Sequence, residues 1–231
     1  MKFQMHPSDR MVELFSKRPF QGQMPEKASI VFLSSDANYS PEISNHSFFD
    51  HILEYQKDGV AFWKKHHKHH PFLLPTYPFN RNMAGVPFHR NFSKLGLGPE
   101  WADHISFLEL LDLPTIGNKS EDREAFLQLL SIDHLKYLES IITGGRRKLI
   151  FVSSGVLRDI LFISKSYPVF GWIDRRPCQS PLDMTINGNR LKEIYHFSSS
   201  QIHGQLMGIK FDMAEWAASV RPPEGQEASH V

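Results

Sequence analysis

The chain predicts an α/β fold with a largely parallel sheet covered on both faces, and three observations carry that expectation. Three short segments, Ala28 to Leu33, Ile105 to Leu111 and Lys148 to Val152, are apolar almost throughout. Strands apolar on both sides belong to a sheet buried on both sides. Amphipathic helical patterns separate these segments, and strand–helix alternation is the mark of parallel pairing. A turn signal, Asn187-Gly188-Asn189, then sits between two β-competent stretches, as in a hairpin.

Taken in order, Ala28 to Leu33 is the first strand and ends abruptly in Ser34-Ser35-Asp36-Ala37-Asn38-Tyr39. Residues 59–98 break the rhythm, being crowded with His, Phe, Pro and Asn. They read as an irregular insertion, an aromatic and mildly basic wall for a binding cleft. After the second strand, Leu127, Leu130, His134, Leu138 and Ile141 recur at helical spacing, so one helix is predicted over residues 122–142, stopped by Gly144-Gly145. After the third strand, Ser153-Ser154-Gly155 opens a helix carrying Val156, Ile160 and Ile163. No repeat and no domain boundary interrupts the pattern. Residues 1–220 are expected to form a single domain, and the Pro-, Gly- and Glu-rich residues 221–231 a disordered tail.

Composition narrows the function classes. With 231 residues the chain can bury a real core, and a formal charge of +1 argues against a broad electrostatic coat for nucleic acid while leaving room for a local basic rim. One cysteine, Cys178, excludes an internal disulfide and a four-cysteine metal site within the chain. The first fifteen residues lack the apolar core of a signal peptide, and no apolar run reaches membrane-spanning length. The expectation is a soluble, cytoplasmic monomer with no membrane partner.

Two loops carry polar residues of catalytic type. One is the segment holding Asp36. The other is His196-Phe197-Ser198-Ser199-Ser200, directly after a strand-like stretch and before a helix start. Hydroxyls and free N–H groups at a helix start favour phosphate. If the strands run parallel, Asp36 and His196 stand at strand ends on one edge of the sheet, where open α/β sheets place their chemistry.

These segments resemble the uracil-DNA glycosylase superfamily, over roughly residues 28–208. "VFLSSDANYSP" looks like its first motif, "HFSSSQIHG" its second, and "LELLDLPTIGNKSEDREAFLQLL" is similar to the stretch between them in the mismatch-specific branch. The resemblance implies a three-layer α/β/α fold with a central, mainly parallel four-stranded sheet. It implies a DNA glycosylase that flips a damaged or mispaired base and hydrolyses its N-glycosidic bond, in base excision repair, without a cofactor or metal. By motif position, Asp36 would activate water and His196 would steady negative charge on the leaving base. Phe48, with Phe49 beside it, would stack on the base; Glu109 and Asn38 would face it; Ser198, Ser199 and Ser200 would grip a phosphate. Ser34 and Ala37 stand where the family has Gly and Pro, and Phe197 and Ser199 replace residues that are usually Pro and Pro or Gly.

Each of these residues also has an ordinary structural use. Asp36 could cap a helix or close an Asx turn, His196 could be a satisfied structural histidine, Phe48 core, and Glu109 a surface carboxylate. A second functional reading is therefore a catalytically inactive, diverged member that binds nucleic acid or a free nucleobase. A third, a metal-dependent hydrolase, starts from "HHKHH", residues 66–70, where His66 and His70 share a helical face with His69 nearby. The neighbouring lysines favour reading that run as a solvated basic stretch.

Overall fold

The computed structural model describes residues 2–175 and 181–220. Cys178 and residues 221–231 lie outside the described residues, and with them the expected tail. In chain order the regular elements are β1 (Gln4–Met5), α1 (Asp9–Lys17), β2 (Phe20–Gly22), β3 (Ile30–Ser34), β4 (Ala37–Asn38), α2 (Phe49–Lys57), α3 (Gly59–His66) and α4 (Val86–Phe92). They continue with β5 (Ile105–Glu109), β6 (Pro114–Ile116), α5 (Arg123–Gln128), α6 (Ile132–Thr143), β7 (Leu149–Ser153), α7 (Ser154–Ser166), β8 (Asp183–Ile186), β9 (Asn189–Ile194) and α8 (Leu206–Val220).

The protein is α/β, with a mixed six-stranded sheet in the order β2-β5-β3-β7-β9-β8. β3 pairs parallel with both β5 and β7, and β7 pairs parallel with β9. The two edge strands, β2 and β8, are antiparallel to their neighbours. From β3 the chain moves out to β5 on one side and returns to β7 on the other, so its direction of travel reverses at the β3–β7 pair. A reversal of this kind opens a crevice at the carboxyl ends of the strands. A small second sheet, β1-β6-β4, sits beyond the carboxyl end of β3 and threads the chain past Asp36.

Alternation along each strand sorts the core into two faces. Val31, Leu33, Ile150 and Val152 point to one side and pack with Leu135, Leu138, Ile160 and Ile163 of α6 and α7. Ile30, Phe32, Phe107 and Phe151 point to the other and pack with Trp63, Phe92, Ile209 and Met213 of α3, α4 and α8. Register sets Phe32 opposite both Phe107 and Phe151. The three rings stack across neighbouring strands, at 5.7 Å and 5.1 Å between centroids. A third cluster, built on Phe15, Tyr39, Tyr55 and Phe72, lies under α1 and α2.

Three local expectations change. The helix predicted over residues 122–142 is two helices, because the Ser131 side chain accepts the His134 N–H and caps α6. A new start satisfied by a serine competes well with one continuous helix. Residues 59–98 are not irregular throughout: they hold α3 and α4, and Phe62, Trp63, Phe72 and Phe92 are buried. The histidine run is not a solvated stretch either, since His69 and His70 are buried and only His67 and Lys68 are exposed. The hairpin is present, with Asn187 and Gly188 both at positive φ (50° and 90°), the backbone that a two-residue turn of this hand requires.

Candidate active site

Asp36 occupies the short break between β3 and β4 and caps no helix. Thr115 Oγ1 on β6 donates to Asp36 Oδ2 at 2.6 Å, and Asn38 Nδ2 donates to the same oxygen at 3.3 Å. Asn38 is itself fixed, its Nδ2 also donating to the Gly117 carbonyl at 2.7 Å. Pairing of Ala37-Asn38 with Pro114-Thr115 is what brings these donors to the carboxylate. Burial raises the Asp36 pKa against the opposing pull of Thr115, Asn38 and the Lys119 ammonium; Asp159 adds to the rise.

Glu109 ends β5 directly beside Ser34 of β3 and is 5% exposed. Gln21 Nε2 on edge strand β2 donates to its Oε1 at 3.3 Å. Burial, reinforced by the charge of Asp36, raises its pKa to about 8. Glu109 is buried and Asp36 half-buried, and a carboxylate charge on Asp36 disfavours a second one on Glu109. With its pKa near 8, Glu109 holds its proton at neutral pH. The surface-carboxylate reading of Glu109 is thereby corrected, because a strand buried on both faces carries it inward.

Lys119 ties the edge together. Its Nζ donates to Ser35 Oγ at 2.6 Å and to Asp159 Oδ2 of α7 at 2.5 Å. Its charge acts on Asp36 and also on His196, beyond the end of β9. β3 and β9 run in the same direction with one strand between them, so their ends stand about 10 Å apart. His196 and Asp36 therefore both lie at the carboxyl edge of the sheet, and the Lys119 charge acts on each.

The protonation state of His196 follows from its neighbours. Burial, with the Lys119 charge adding to it, lowers its pKa to about 4, so the ring is neutral at pH 7. The Ser198 N–H donates to His196 Nδ1 at 3.2 Å, which makes Nδ1 the acceptor and leaves the ring proton on Nε2. A neutral imidazole held this way offers an N–H to an incoming oxygen. His196 also lines a small hollow of about 10 Å³, the scale of a single water, at the β3–β7–β9 ends, where Phe32 and Phe151 share the lining and Phe88 lies against the imidazole at 5.5 Å.

Other expected site residues lie elsewhere. Phe48 and Phe49 are each 3% exposed within the third core cluster, where Phe48 packs edge-on to Tyr77 at 5.3 Å. Neither ring can stack on a base from there, and the stacking role expected of them is corrected. The ring beside His196 at the hollow is that of Phe88 on α4, which is half-buried. Ser199 spends its hydroxyl on the Gln201 N–H, capping a short 3-10 turn, while Ser198 and Ser200 are exposed. The serines and Asp36 lie outside the lining of the His196 hollow. Lys119, Asp159, Thr115 and Phe88 were not legible from sequence. For Lys119 alone a signal existed, in the basic residue at the start of the acidic "NKSED" turn.

Among the described residues, His51, Glu54 and His66 form a group of metal-ligating type on the outer side of α2 and α3. It uses one histidine of the 66–70 run. His69 and His70 turn inward instead, His69 Nε2 lying 3.2 Å from His89 Nδ1 and His70 stacking on His89 at 3.7 Å. No helix among the described residues is long and apolar enough to cross a membrane. Comparison of the chain with family models, curated proteins and solved structures returned no match.

Proposed function

We propose that the protein hydrolyses the N-glycosidic bond of a nucleobase extruded from DNA, as a glycosylase of the uracil-DNA glycosylase type with a three-layer α/β/α architecture. The observation that carries this reading is that Asp36 and a neutral His196, whose ring proton sits on Nε2, each follow the carboxyl end of a parallel strand in one sheet, with a single strand between them. Cleavage of a glycosidic bond separates charge, positive on the sugar and negative on the departing base. Asp36 supplies the carboxylate that orients water and faces the sugar; His196 Nε2–H donates to the base oxygen on which negative charge accumulates. The gap of about 10 Å between the strand ends is the scale of one nucleoside. Protonated Glu109 can donate to a base carbonyl as well as accept from an amine, which widens the bases it can meet beyond those that an ionised carboxylate would admit. On this reading Phe88 stacks on the base, and the exposed hydroxyls of Ser198 and Ser200 touch phosphate.

The test is a panel of DNA duplexes carrying uracil, hypoxanthine, xanthine or thymine opposite guanine, scored for alkali-labile abasic sites. Wild-type protein is expected to generate them in at least one duplex. Asp36→Asn is expected to reduce the rate by about 10²–10⁴-fold, the span of a lost general base, with duplex binding kept. Turnover unchanged in Asp36→Asn removes Asp36 from the mechanism. Binding without base release across the whole panel favours the non-hydrolytic reading.

A further inference from the structure

Away from the carboxyl edge, α2 and α3 bring together three side chains that the proposed reaction does not use. His51 and Glu54 are three residues apart and share a face of α2; His66 is the last residue of α3. His66 Nε2 lies 3.0 Å from Glu54 Oε2, and His51 Nδ1 lies 3.8 Å from the same oxygen. The three donor atoms all fall within 4.8 Å of one another. Ligand atoms about 2.1 Å from a tetrahedral cation are about 3.4 Å from each other, so the observed separations bracket what a metal would impose. The imidazole planes are set at 89°, with centroids 5.8 Å apart, and approach the carboxylate from different directions instead of stacking.

The surroundings fix these groups in place. Lys65 Nζ donates to Glu54 Oε1 at 2.6 Å and leaves Oε2 turned toward the two rings. His51 rests on Phe48 at 5.1 Å and His66 on Phe62 at 4.3 Å, both core rings. Oriented ligands braced from behind distinguish a metal site from a chance surface cluster.

We propose that His51 Nδ1, Glu54 Oε2 and His66 Nε2 bind a divalent first-row transition cation such as Zn²⁺, with water completing its coordination. Two imidazoles and one carboxylate suit zinc, cobalt or nickel; magnesium and calcium demand oxygen ligands, and soft ions demand thiolates. When His66 Nε2 takes the cation its ring proton moves to Nδ1, and the hydrogen bond to Glu54 is exchanged for two metal bonds. The cation then clips the middle of α2 to the end of α3, just ahead of buried His69 and His70.

The full-length chain, stripped with a chelator, is titrated with Zn²⁺ against a chromophoric competitor and with Co²⁺ by visible absorption. One equivalent is expected to bind and to raise the unfolding temperature. Glu54→Gln, which keeps the shape of the side chain, should lower Zn²⁺ affinity by about tenfold or more; His51→Ala, at a ring 37% exposed, should do the same with little change in metal-free stability. His104→Ala, outside the site, should bind as wild type does. The absence of a stoichiometric equivalent, or unchanged Zn²⁺ affinity in both site variants, overturns the proposal. If Glu54→Gln does not fold, His51→Ala decides it. The readout is metal affinity and does not depend on base release.

Discussion

Replacing Glu109 with Gln should stabilise the protein at neutral pH, and by an amount that its surroundings set. The folded-state pKa of Glu109 is raised to about 8 from 4.5. A carboxyl raised in this way favours the folded state below the unfolded value, and that contribution is lost as pH rises toward the folded value. Between pH 4.5 and 7 the unfolded chain gives up its proton while the folded chain keeps it. The loss is about 2.5 pH units at 1.36 kcal/mol each, or about 3 kcal/mol at pH 7. Glutamine carries no charge at any pH, and its carbonyl can still accept from Gln21 Nε2, now at 3.3 Å from Oε1. Urea unfolding of wild type and Glu109→Gln across pH 4 to 9 is the assay. The two should be nearly equal near pH 4, diverge by about 1.4 kcal/mol per unit above pH 4.5, and hold a constant gap above pH 8. A gap that does not change with pH, or a less stable variant at pH 7, would refute the buried, protonated Glu109.

Acid should act in the opposite direction through the histidines. His89, with a pKa lowered from 6.5 to about 3 by burial, stays neutral in the folded chain while the unfolded chain protonates, so stability falls as pH drops below 6.5. His89 alone withdraws about 2 kcal/mol by pH 5, and His69 and His70, also lowered, add to it; tryptophan fluorescence against pH should show the loss reduced in His89→Gln. Lys119→Gln should raise the pKa of His196 above about 4, readable from its imidazole proton shifts by NMR; an unmoved titration would separate Lys119 from His196. Phe32→Ala removes the middle ring of the three-strand stack and should cost about 3–5 kcal/mol in urea unfolding.

What could be read from the chain alone was whatever depends on neighbours in sequence. A strand buried on both faces is apolar at every position, so β3, β5 and β7 were visible as runs, displaced by a residue or two. The Asn187-Gly188 turn was visible because only such residues adopt positive φ cheaply. The split of the 122–142 helix was not, since helical spacing persists through Leu130 and the decision rests on one serine hydroxyl.

The site divides along the same line. Asp36 and His196 were legible as polar residues following apolar strands, a property of the local pattern. That Asp36 is held by Thr115 and Asn38, that Glu109 keeps its proton, and that the Lys119 charge acts on both Asp36 and His196 depended on pairings across tens of residues. The placement of Phe48 and Phe49 in the core, and of Phe88 at the hollow, likewise came from packing. Local chemistry determined which groups stand at the strand ends; only the order of the strands decided which of them meet, because burial and electrostatic coupling are set by neighbours in space.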